Sequence, residues 1–312
     1  MRGLILVCIA AGLWGTVGVA NRLMTQAPPL DPALSGLSRT ALGGACLLVA
    51  AAISGIGRPV WTRQSSRLIG LFGMAGALFQ TCLFAAFDRA GVTMTVAVTV
   101  AGPAVLVAIA DAVWHRRPPE VWSGLAIAVA TVGVIVALAG GPAPTQRPGF
   151  AWDAACLLLV AAGAFALVAI AARGLGDALH PLHGAGFGLV ATAAILAGLV
   201  VARHGSFAVL TDLPARDFVI LGYTGMVATG GAYLAFLLGM QASPSATAGI
   251  ASTLIEPGVA ALLAALILDE RLNVAQGLGC LLMVAAVAIL AFAGLHARRR
   301  DTRAPDAPAT RS

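Results

Sequence analysis

Apolar residues dominate this chain in ten long runs that are separated by short polar breaks. The runs cover roughly residues 3–25, 33–55, 67–87, 93–113, 120–140, 151–172, 183–202, 217–239, 247–268 and 273–295. Each is about 20 residues long, which is the length of helix that crosses the apolar part of a bilayer. Prolines, glycines or charges separate them, as in Arg58-Pro59 and Asp269-Glu270-Arg271. The pattern predicts an all-α integral membrane protein with ten transmembrane helices.

The second half of the chain repeats the first. A shift of 154 residues places Thr93, Ala97, Thr99, Pro103, Val105, Ala110 and Arg117 on Thr247, Ala251, Thr253, Pro257, Val259, Ala264 and Arg271. A shift of 152 places Gly70, Gly73, Met74, Phe84 and Ala90 on Gly222, Gly225, Met226, Phe236 and Ala242. Five spans are an odd number, so the second half must enter the membrane from the opposite side. We expect two inverted five-helix repeats, 1–145 and 146–297, around a central cavity.

Composition and charge exclude several classes of protein. The chain is 59% hydrophobic and only 10% charged, whereas soluble domains are about 25% charged. A cytosolic enzyme, a nucleic-acid binder and a secreted disulfide scaffold are therefore excluded. All 19 basic residues are arginines, of which 12 fall on the side of both termini and seven on the other. This bias predicts cytoplasmic termini in a bacterial inner membrane, contact with membrane lipids, and a disordered basic cytoplasmic tail over 298–312.

Candidate metal and cofactor chemistry is sparse. The five cysteines all lie within apolar runs, so they predict neither a disulfide framework nor a metal site. His180 and His183 form an HxxH pattern, but in a proline-containing break between runs. We therefore predict no cofactor, no metal and no catalytic residues.

Several short motifs, in their order and duplication, point to a family. They are Leu13-Trp14-Gly15, Ser38-Arg39, Phe84-Ala85-Ala86-Phe87, Leu254-Ile255-Glu256-Pro257 and Leu268-Asp269-Glu270-Arg271-Leu272. Over residues 3–295 the chain resembles the EamA type of the drug/metabolite transporter superfamily, and within it the YddG-type amino-acid exporters. The first-half turn, His115-Arg116-Arg117-Pro118, departs from the family pattern by having arginine where glutamate is frequent. The resemblance implies the ten-helix fold and a secondary transporter that exports amino acids or similar small metabolites by alternating access.

Glu256 is the strongest candidate for a functional residue, because ionisable groups deep in a membrane helix are costly and are usually functional. Pro257 disrupts the preceding turn and frees a backbone carbonyl near Thr253. A carboxylate there could bind a substrate ammonium or a proton, and the alternative is a protonated, hydrogen-bonded glutamate between helices. Pro103 and Pro257 occupy equivalent positions in the two halves, and we expect them to be kink or hinge residues, or else fixed bends.

Further candidates are polar or aromatic side chains that lie well inside apolar runs. They are Trp14, Gln80, Thr99, Tyr233 and Thr253. The helices that carry them surround the cavity in the family fold, so the resemblance implies that they bind substrate together with Glu256. The alternative is interhelical hydrogen bonding or packing. Arg39 lies a few residues into the second helix, and we expect its side chain to extend to the membrane interface.

Three functions compete for this sequence. The first is export of amino acids or similar metabolites, driven by the solute gradient or by exchange of protons at Glu256, since no Walker motif is present. The second is export of drugs or organic cations, which Glu256 and aromatic side chains would attract. The third is a lipid-modifying membrane enzyme, for which only Arg173, Asp177, His180 and His183 are clustered. The first is favoured, with a small-molecule substrate and no enzymatic reaction.

Overall fold

The computed structural model describes residues 2–24, 30–114, 121–139, 151–176, 178–207, 213–241 and 255–301. Within these ranges all regular secondary structure is helical. In the first half the helices are α1 (Arg2–Gly15), α2 (Val17–Arg22), α3 (Pro32–Ile53), α4 (Arg63–Ala90), α5 (Val92–Trp114) and α6 (Val121–Ala139). In the second they are α7 (Ala151–Gly176), α8 (Pro181–His204), α9 (Ala215–Gly222), a π-helix (Tyr223–Gly231), α10 (Ala232–Gln241), α11 (Ile255–Leu268) and α12 (Val274–Asp301).

The apolar runs predicted from the sequence all contain helix. Among the described residues, six helical segments are long and apolar enough to cross a membrane. They are Ile5–Arg22, Pro32–Ile53, Arg63–Ala90, Trp152–Gly176, Pro181–His204 and Ala215–Met240. Shorter apolar helices, Val92–Pro103, Gly124–Ala137, Ile255–Leu268 and Val274–Ile289, occupy the remaining four runs. The all-helical membrane architecture is therefore confirmed, with a full-length span candidate in six of the predicted runs.

The first and eighth runs are not the uninterrupted helices that the sequence predicts. The first breaks at Thr16, whose hydroxyl donates to the Leu13 carbonyl at 2.7 Å and so competes with the helical backbone. The eighth run unwinds into the nine-residue π-helix between α9 and α10. Such wider turns inside α-helices are frequent at functional sites.

The C-terminal boundary also differs from the prediction. Helix α12 continues to Asp301, so the first residues of the predicted tail, 298–301, extend the helix. Arginine is a good helix former, and cations in a last turn interact favourably with the helix dipole. Residues 302–312 of the predicted tail lie outside the described residues.

The two halves interlock instead of standing side by side. Helix α3 packs on α8, α5 on α11 and α6 on α12, and each of these pairs joins equivalent runs of the two halves. Helix α1 of the first run packs on α10 of the eighth run, and α4 of the third run packs on α7 of the sixth. The first and third runs of one half are equivalent to the sixth and eighth of the other, so exchanging the halves turns one of these contacts into the other. The packing therefore maps onto itself under exchange of the halves.

Small residues allow these helices to approach closely. On α12, a Cβ atom added at Gly279 would lie 2.5 Å from the Gly133 carbonyl oxygen of α6. On α3, a Cβ atom added at Gly44 would lie 3.1 Å from the Gly186 carbonyl oxygen of α8. Crossings built on small residues are typical of membrane helices, which gain contact energy mainly from close packing.

One end of the bundle is held by ion pairs between helices. Arg22, at the end of α2, pairs with Asp88 of α4 at 2.8 Å. The next residue of α4, Arg89, pairs with Asp153 of α7. The start of α3 and the ends of α8 and α11 lie at the same end of the bundle. We call it the ion-paired end.

Asp31 holds α3 and α8 together at this end. Its carboxylate caps α3 by accepting from the Ala33 N–H at 2.7 Å, and it also accepts from Arg203 at 3.2 Å and contacts His204 Nε2 at 2.8 Å. Burial raises the pKa of the Asp31 carboxyl, but the hydrogen bonds from His204, Ala33 and Arg203 outweigh burial, so its pKa lies below the ordinary aspartate value.

Glu270 joins the two halves at the same end. Its carboxylate oxygens accept from the backbone N–H groups of Val92 at 2.9 Å and Thr93 at 3.1 Å. These N–H groups belong to the first turn of α5, where they have no partner within the helix and where the helix dipole favours an anion. The turn after α11 therefore caps the equivalent helix of the first half.

Candidate substrate-binding cavity

A cavity of about 600 Å³ lies between the two halves, within the size range of small-molecule sites. Most of its wall is apolar. Its aromatic members are Trp14, Phe72, Phe79, Phe87, Phe165, Tyr233 and Phe236, and its polar members are Arg39, Gln80, Thr99, Arg173, Thr192, Thr229 and Glu256. A mostly apolar wall with a few placed polar groups is typical of a site that recognises a small molecule.

Most of the predicted binding residues lie together on this wall. Trp14, Gln80, Thr99, Tyr233 and Glu256, drawn from five different apolar runs, all line the cavity. Thr253 lies outside the described residues. A role of these residues in binding substrate remains a prediction.

Aromatic rings line the cavity from both halves. The Trp14 ring meets Tyr233 edge-on at 5.3 Å between centroids and Phe236 at 5.4 Å. Phe165, which belongs to the second half, stacks on Phe79 at 4.7 Å. The Trp14 Nε1–H group is buried and has no hydrogen-bond partner among the described residues. The rings offer flat apolar faces to a bound molecule.

Arg39 does not extend to the membrane interface as the sequence predicts. Its side chain is only 8% exposed and lines the cavity. Its Nε–H donates to the Thr229 hydroxyl at 2.7 Å, and Nη1 donates to the Gln80 Oε1 at 3.4 Å. The prediction was wrong because polar partners inside the bundle replace the interfacial water that an extended arginine would seek.

Thr229 is a functional candidate that the sequence did not suggest. It lies in the π-helix, and its hydroxyl donates to the Thr224 carbonyl five residues earlier, at 2.8 Å. That bond leaves the oxygen free to accept from Arg39. The available signal was Arg39 itself, because a charged residue within an apolar run implies a polar partner on another helix.

Glu256 provides the opposite charge on the cavity wall. It lies in the first described turn of α11, beside α1, where a Cβ atom added at Gly15 would lie 2.8 Å from the Glu256 carbonyl oxygen. Its carboxylate attracts the Arg39 guanidinium electrostatically. The two groups do not form a direct ion pair among the described residues. The deep part of the cavity thus carries a guanidinium, Arg39, and a carboxyl group, Glu256, at separate places.

The contacts of Thr99, Pro103 and Pro257 do not point specifically to a role in binding substrate. The Thr99 hydroxyl donates to the Thr95 carbonyl of its own helix at 2.8 Å, so its remaining capacity toward the cavity is as an acceptor. Pro103 lies inside α5, and Pro257 lies in the first described turn of α11. Both prolines are buried and neither lines the cavity. Their predicted hinge role remains a prediction, since the residues just before Ile255 lie outside the described residues.

The two ends of the cavity differ in access. At one end its wall reaches the exposed residues Arg173 and Gly176, where α7 ends. At the other end its wall is formed by Val17, Phe87 and Val96, which are buried behind the ion-paired end. The cavity is therefore accessible from the end of the bundle that lies opposite the ion pairs.

The segment considered for enzymatic chemistry has structural contacts. His180 caps α8, with Nδ1 accepting from the Leu182 N–H at 3.3 Å. His183 is buried and stacks on Phe187 at 6.0 Å between centroids. Asp177 lies outside the described residues. Within the described ranges no three His, Cys, Asp or Glu side chains are grouped so that they could hold a metal ion.

Known proteins place the chain in a family. The EamA-like transporter family matches residues 1–139 and 152–292. The chain is 25% identical over 295 residues to the uncharacterized transporter YwfM of Bacillus subtilis (strain 168), covering 92% of this chain and 93% of that protein. A protein of known crystal structure shares the fold with a TM-score of 0.63 at 21% identity, covering 95% of this chain and 99% of that one. The chain therefore belongs to the EamA-like transporter family and is a membrane transporter of small molecules, not an enzyme.

Proposed function

We propose that this protein is a secondary transporter that exports amino acids or similar small metabolites across the bacterial inner membrane by alternating access. The observation that carries the proposal is the cavity between the two interlocked halves, with its few polar groups on an apolar wall. A site between two exchangeable halves can be exposed to either side of the membrane when the halves rock against each other.

The proposed topology has ten spans in two inverted repeats, with both termini in the cytoplasm. Exchange symmetry of the helix packing supports the repeat, and the bias of 12 arginines against seven supports the orientation. In this topology the ion-paired end faces the outside and the Arg173 end of the cavity faces the cytoplasm. The conformation described above is then the cytoplasm-facing state, ready to load a substrate for export.

Glu256 is the proposed site of proton coupling. It is a carboxylate on the cavity wall, within an apolar helix. A carboxylate that alternates between proton and substrate ammonium would couple the movement of one to the movement of the other. Its neighbours Trp14 and Tyr233 are proposed to pack against the apolar part of the substrate, together with Gln80, Thr99 and Thr253 as polar contacts.

The test is efflux from proteoliposomes loaded with radiolabelled L-phenylalanine, with and without a pH gradient. We expect efflux that the gradient alters, and we expect Glu256→Gln to abolish that dependence. Asp269→Asn is the matched control, because Asp269 is an exposed carboxylate away from the cavity. Efflux by the unaltered protein that ignores both the gradient and Glu256→Gln would refute proton coupling. Absence of efflux for a panel of amino acids would refute the proposed substrate class.

An alternative function is export of drugs or organic cations. The observation that favours it is the combination of Glu256 with aromatic rings such as Trp14 and Tyr233, since a cation gains from both a carboxylate and a ring face. Competition in the same vesicles separates the two functions. Efflux of tetraphenylphosphonium that amino acids do not inhibit, from vesicles in which amino acids do not move, would establish the alternative.

A further inference from the structure

Arg39 is a buried cation whose hydrogen-bonding capacity is only partly used. A guanidinium has five N–H donors, and those of Arg39 bond Thr229 through Nε and Gln80 through Nη1. The remaining donors, on Nη1 and Nη2, have no acceptor among the described residues. Glu256 attracts this guanidinium from a distance but does not pair with it directly. A buried charge that lacks a directly bonded counter-ion is costly, so a group in this position implies an anion that is present for part of the working cycle.

We propose that Arg39 is the subsite that binds the carboxylate of the transported molecule. Thr229 accepts from Nε and Gln80 accepts from Nη1, and these two bonds fix the orientation of the guanidinium plane. The unused N–H groups of Nη1 and Nη2 form the fork that pairs with the two oxygens of a carboxylate. This inference rests on the proposed function and deepens it by naming the chemical group that the transporter selects.

The arrangement of charges then selects small zwitterions. A molecule with a carboxylate near Arg39 and an ammonium near Glu256 pairs with both groups, and the apolar wall receives its side chain. An organic cation without a carboxylate leaves Arg39 unpaired. Sites built to hydrogen-bond one group reject analogues that lack it far more strongly than apolar pockets reject a missing methylene. Arg39 therefore discriminates between the two substrate classes considered above.

Three probes of similar size separate the charges. L-phenylalanine carries both groups, phenethylamine lacks the carboxylate, and 3-phenylpropionate lacks the ammonium. Binding of each to the full-length protein in nanodiscs is measured by calorimetry, and counterflow of each is measured in proteoliposomes. The readout is the affinity for phenylalanine relative to phenethylamine, which a purely structural role of Arg39 would not change.

The variants are Arg39→Gln and Arg39→Lys, with Arg216→Gln as the matched control. Arg216 is an exposed arginine of α9, in the same helical segment (Ala215–Met240) as Thr229, and it does not line the cavity. We expect Arg39→Gln to weaken phenylalanine binding about ten- to hundredfold and to leave phenethylamine binding nearly unchanged. Lysine retains the charge but not the fork, so we expect Arg39→Lys to lose part of the preference. It keeps the test decisive if the glutamine variant does not fold.

Each outcome decides something. Equal affinity of the unaltered protein for phenylalanine and phenethylamine, or a preference that survives both Arg39 variants, would overturn the subsite while leaving amino-acid transport standing. Binding of 3-phenylpropionate that depends on Arg39, without binding of phenylalanine, would support the subsite and overturn the amino-acid proposal. Binding of phenethylamine alone, or of none of the probes, would overturn both.

Discussion

The carboxylate of Asp31 links α3 of the first half to α8 of the second half. It caps α3 and meets Arg203 and His204 at the end of α8, and these donors hold its pKa below the ordinary aspartate value. A lowered pKa in the folded state contributes stability that is present above the unfolded-state pKa and is lost as the pH falls through the folded-state pKa.

We therefore predict that Asp31→Asn lowers the melting temperature in detergent at pH 7 by about 2–4 °C. Asparagine still caps a helix, so the loss reports the charge. The gap between the two proteins should close as the pH falls below about 4. Thermal melting of both proteins from pH 7 to pH 3 measures it, with Asp269→Asn as the exposed control. A gap that does not narrow between pH 4 and pH 3 would contradict this account.

The sequence predicts how deep a residue lies in the membrane, and candidate site residues could be predicted only from that depth. Trp14, Gln80 and Glu256 lie mid-run, and the structure places them on the cavity wall. Arg39 lies near the start of its run, which suggested an interfacial position. Its actual position depends on which face of α3 meets Thr229 across the bundle, and that face is set by tertiary packing between distant residues.

Helices α6 and α12 cross at Gly133 and Gly279. A Cβ atom added at Gly279 would lie 2.5 Å from the Gly133 carbonyl oxygen and 2.8 Å from the Ala137 backbone nitrogen, neither of which can move independently of its helix. At Gly277, two residues earlier on the same helix, an added Cβ atom has nothing within 4 Å. Gly279, which lies in the crossing, and Gly277, which has open space around it, therefore form a matched pair for substitution by alanine.

We predict that Gly279→Ala destabilises the protein by about 1–3 kcal/mol through overpacking. Gly277→Ala should be neutral or stabilise it by up to about 1 kcal/mol, because alanine favours the helix. Resistance to unfolding in a mixed detergent series measures both variants. Equal stability of the two would show that the crossing tolerates a wider separation than the structure has.

The extent of the helices followed from the sequence more reliably than their internal winding did. Long apolar runs had to be helical because the bilayer offers no partner for free backbone groups, and every run contains a helix. The break at Thr16 and the π-helix at 223–231 depend on other contacts. The Thr16 hydroxyl meets the Tyr223 hydroxyl at 2.7 Å, and the Thr229 hydroxyl bonds both Thr224 and Arg39. Periodicity cannot reveal such contacts between distant residues.

At the scale of the whole molecule, the ion-paired end closes one entrance to the cavity. Val96 lines that end of the cavity and is 4% exposed. Arg22–Asp88 and Arg89–Asp153 hold α4 to the neighbouring helices there. In the proposed alternating-access cycle these pairs separate when the cavity opens to the ion-paired side, so removing them should favour the state that is open to that side.

We predict that Val96→Cys reacts slowly with a membrane-impermeant maleimide applied from the ion-paired side. Adding Asp88→Asn and Asp153→Asn should raise the labelling rate about two- to fivefold, as expected for two exposed pairs. The measurement uses a background in which the five native cysteines are replaced. Ala172→Cys, at the opposite entrance, is the control and should label no faster. An unchanged rate at position 96 would show that these pairs do not govern access.

The π-helix makes the two halves unequal. Met74 to Phe84 and Met226 to Phe236 span the same number of residues, yet the first stretch is regular α-helix and the second passes through the π-helix. Two identical halves would give inward-facing and outward-facing states of equal energy, equally occupied at rest. A difference in winding that is confined to one half removes this degeneracy. In the proposed alternating-access cycle, this difference would give the empty transporter a preferred side, and substrate binding would have to overcome that preference.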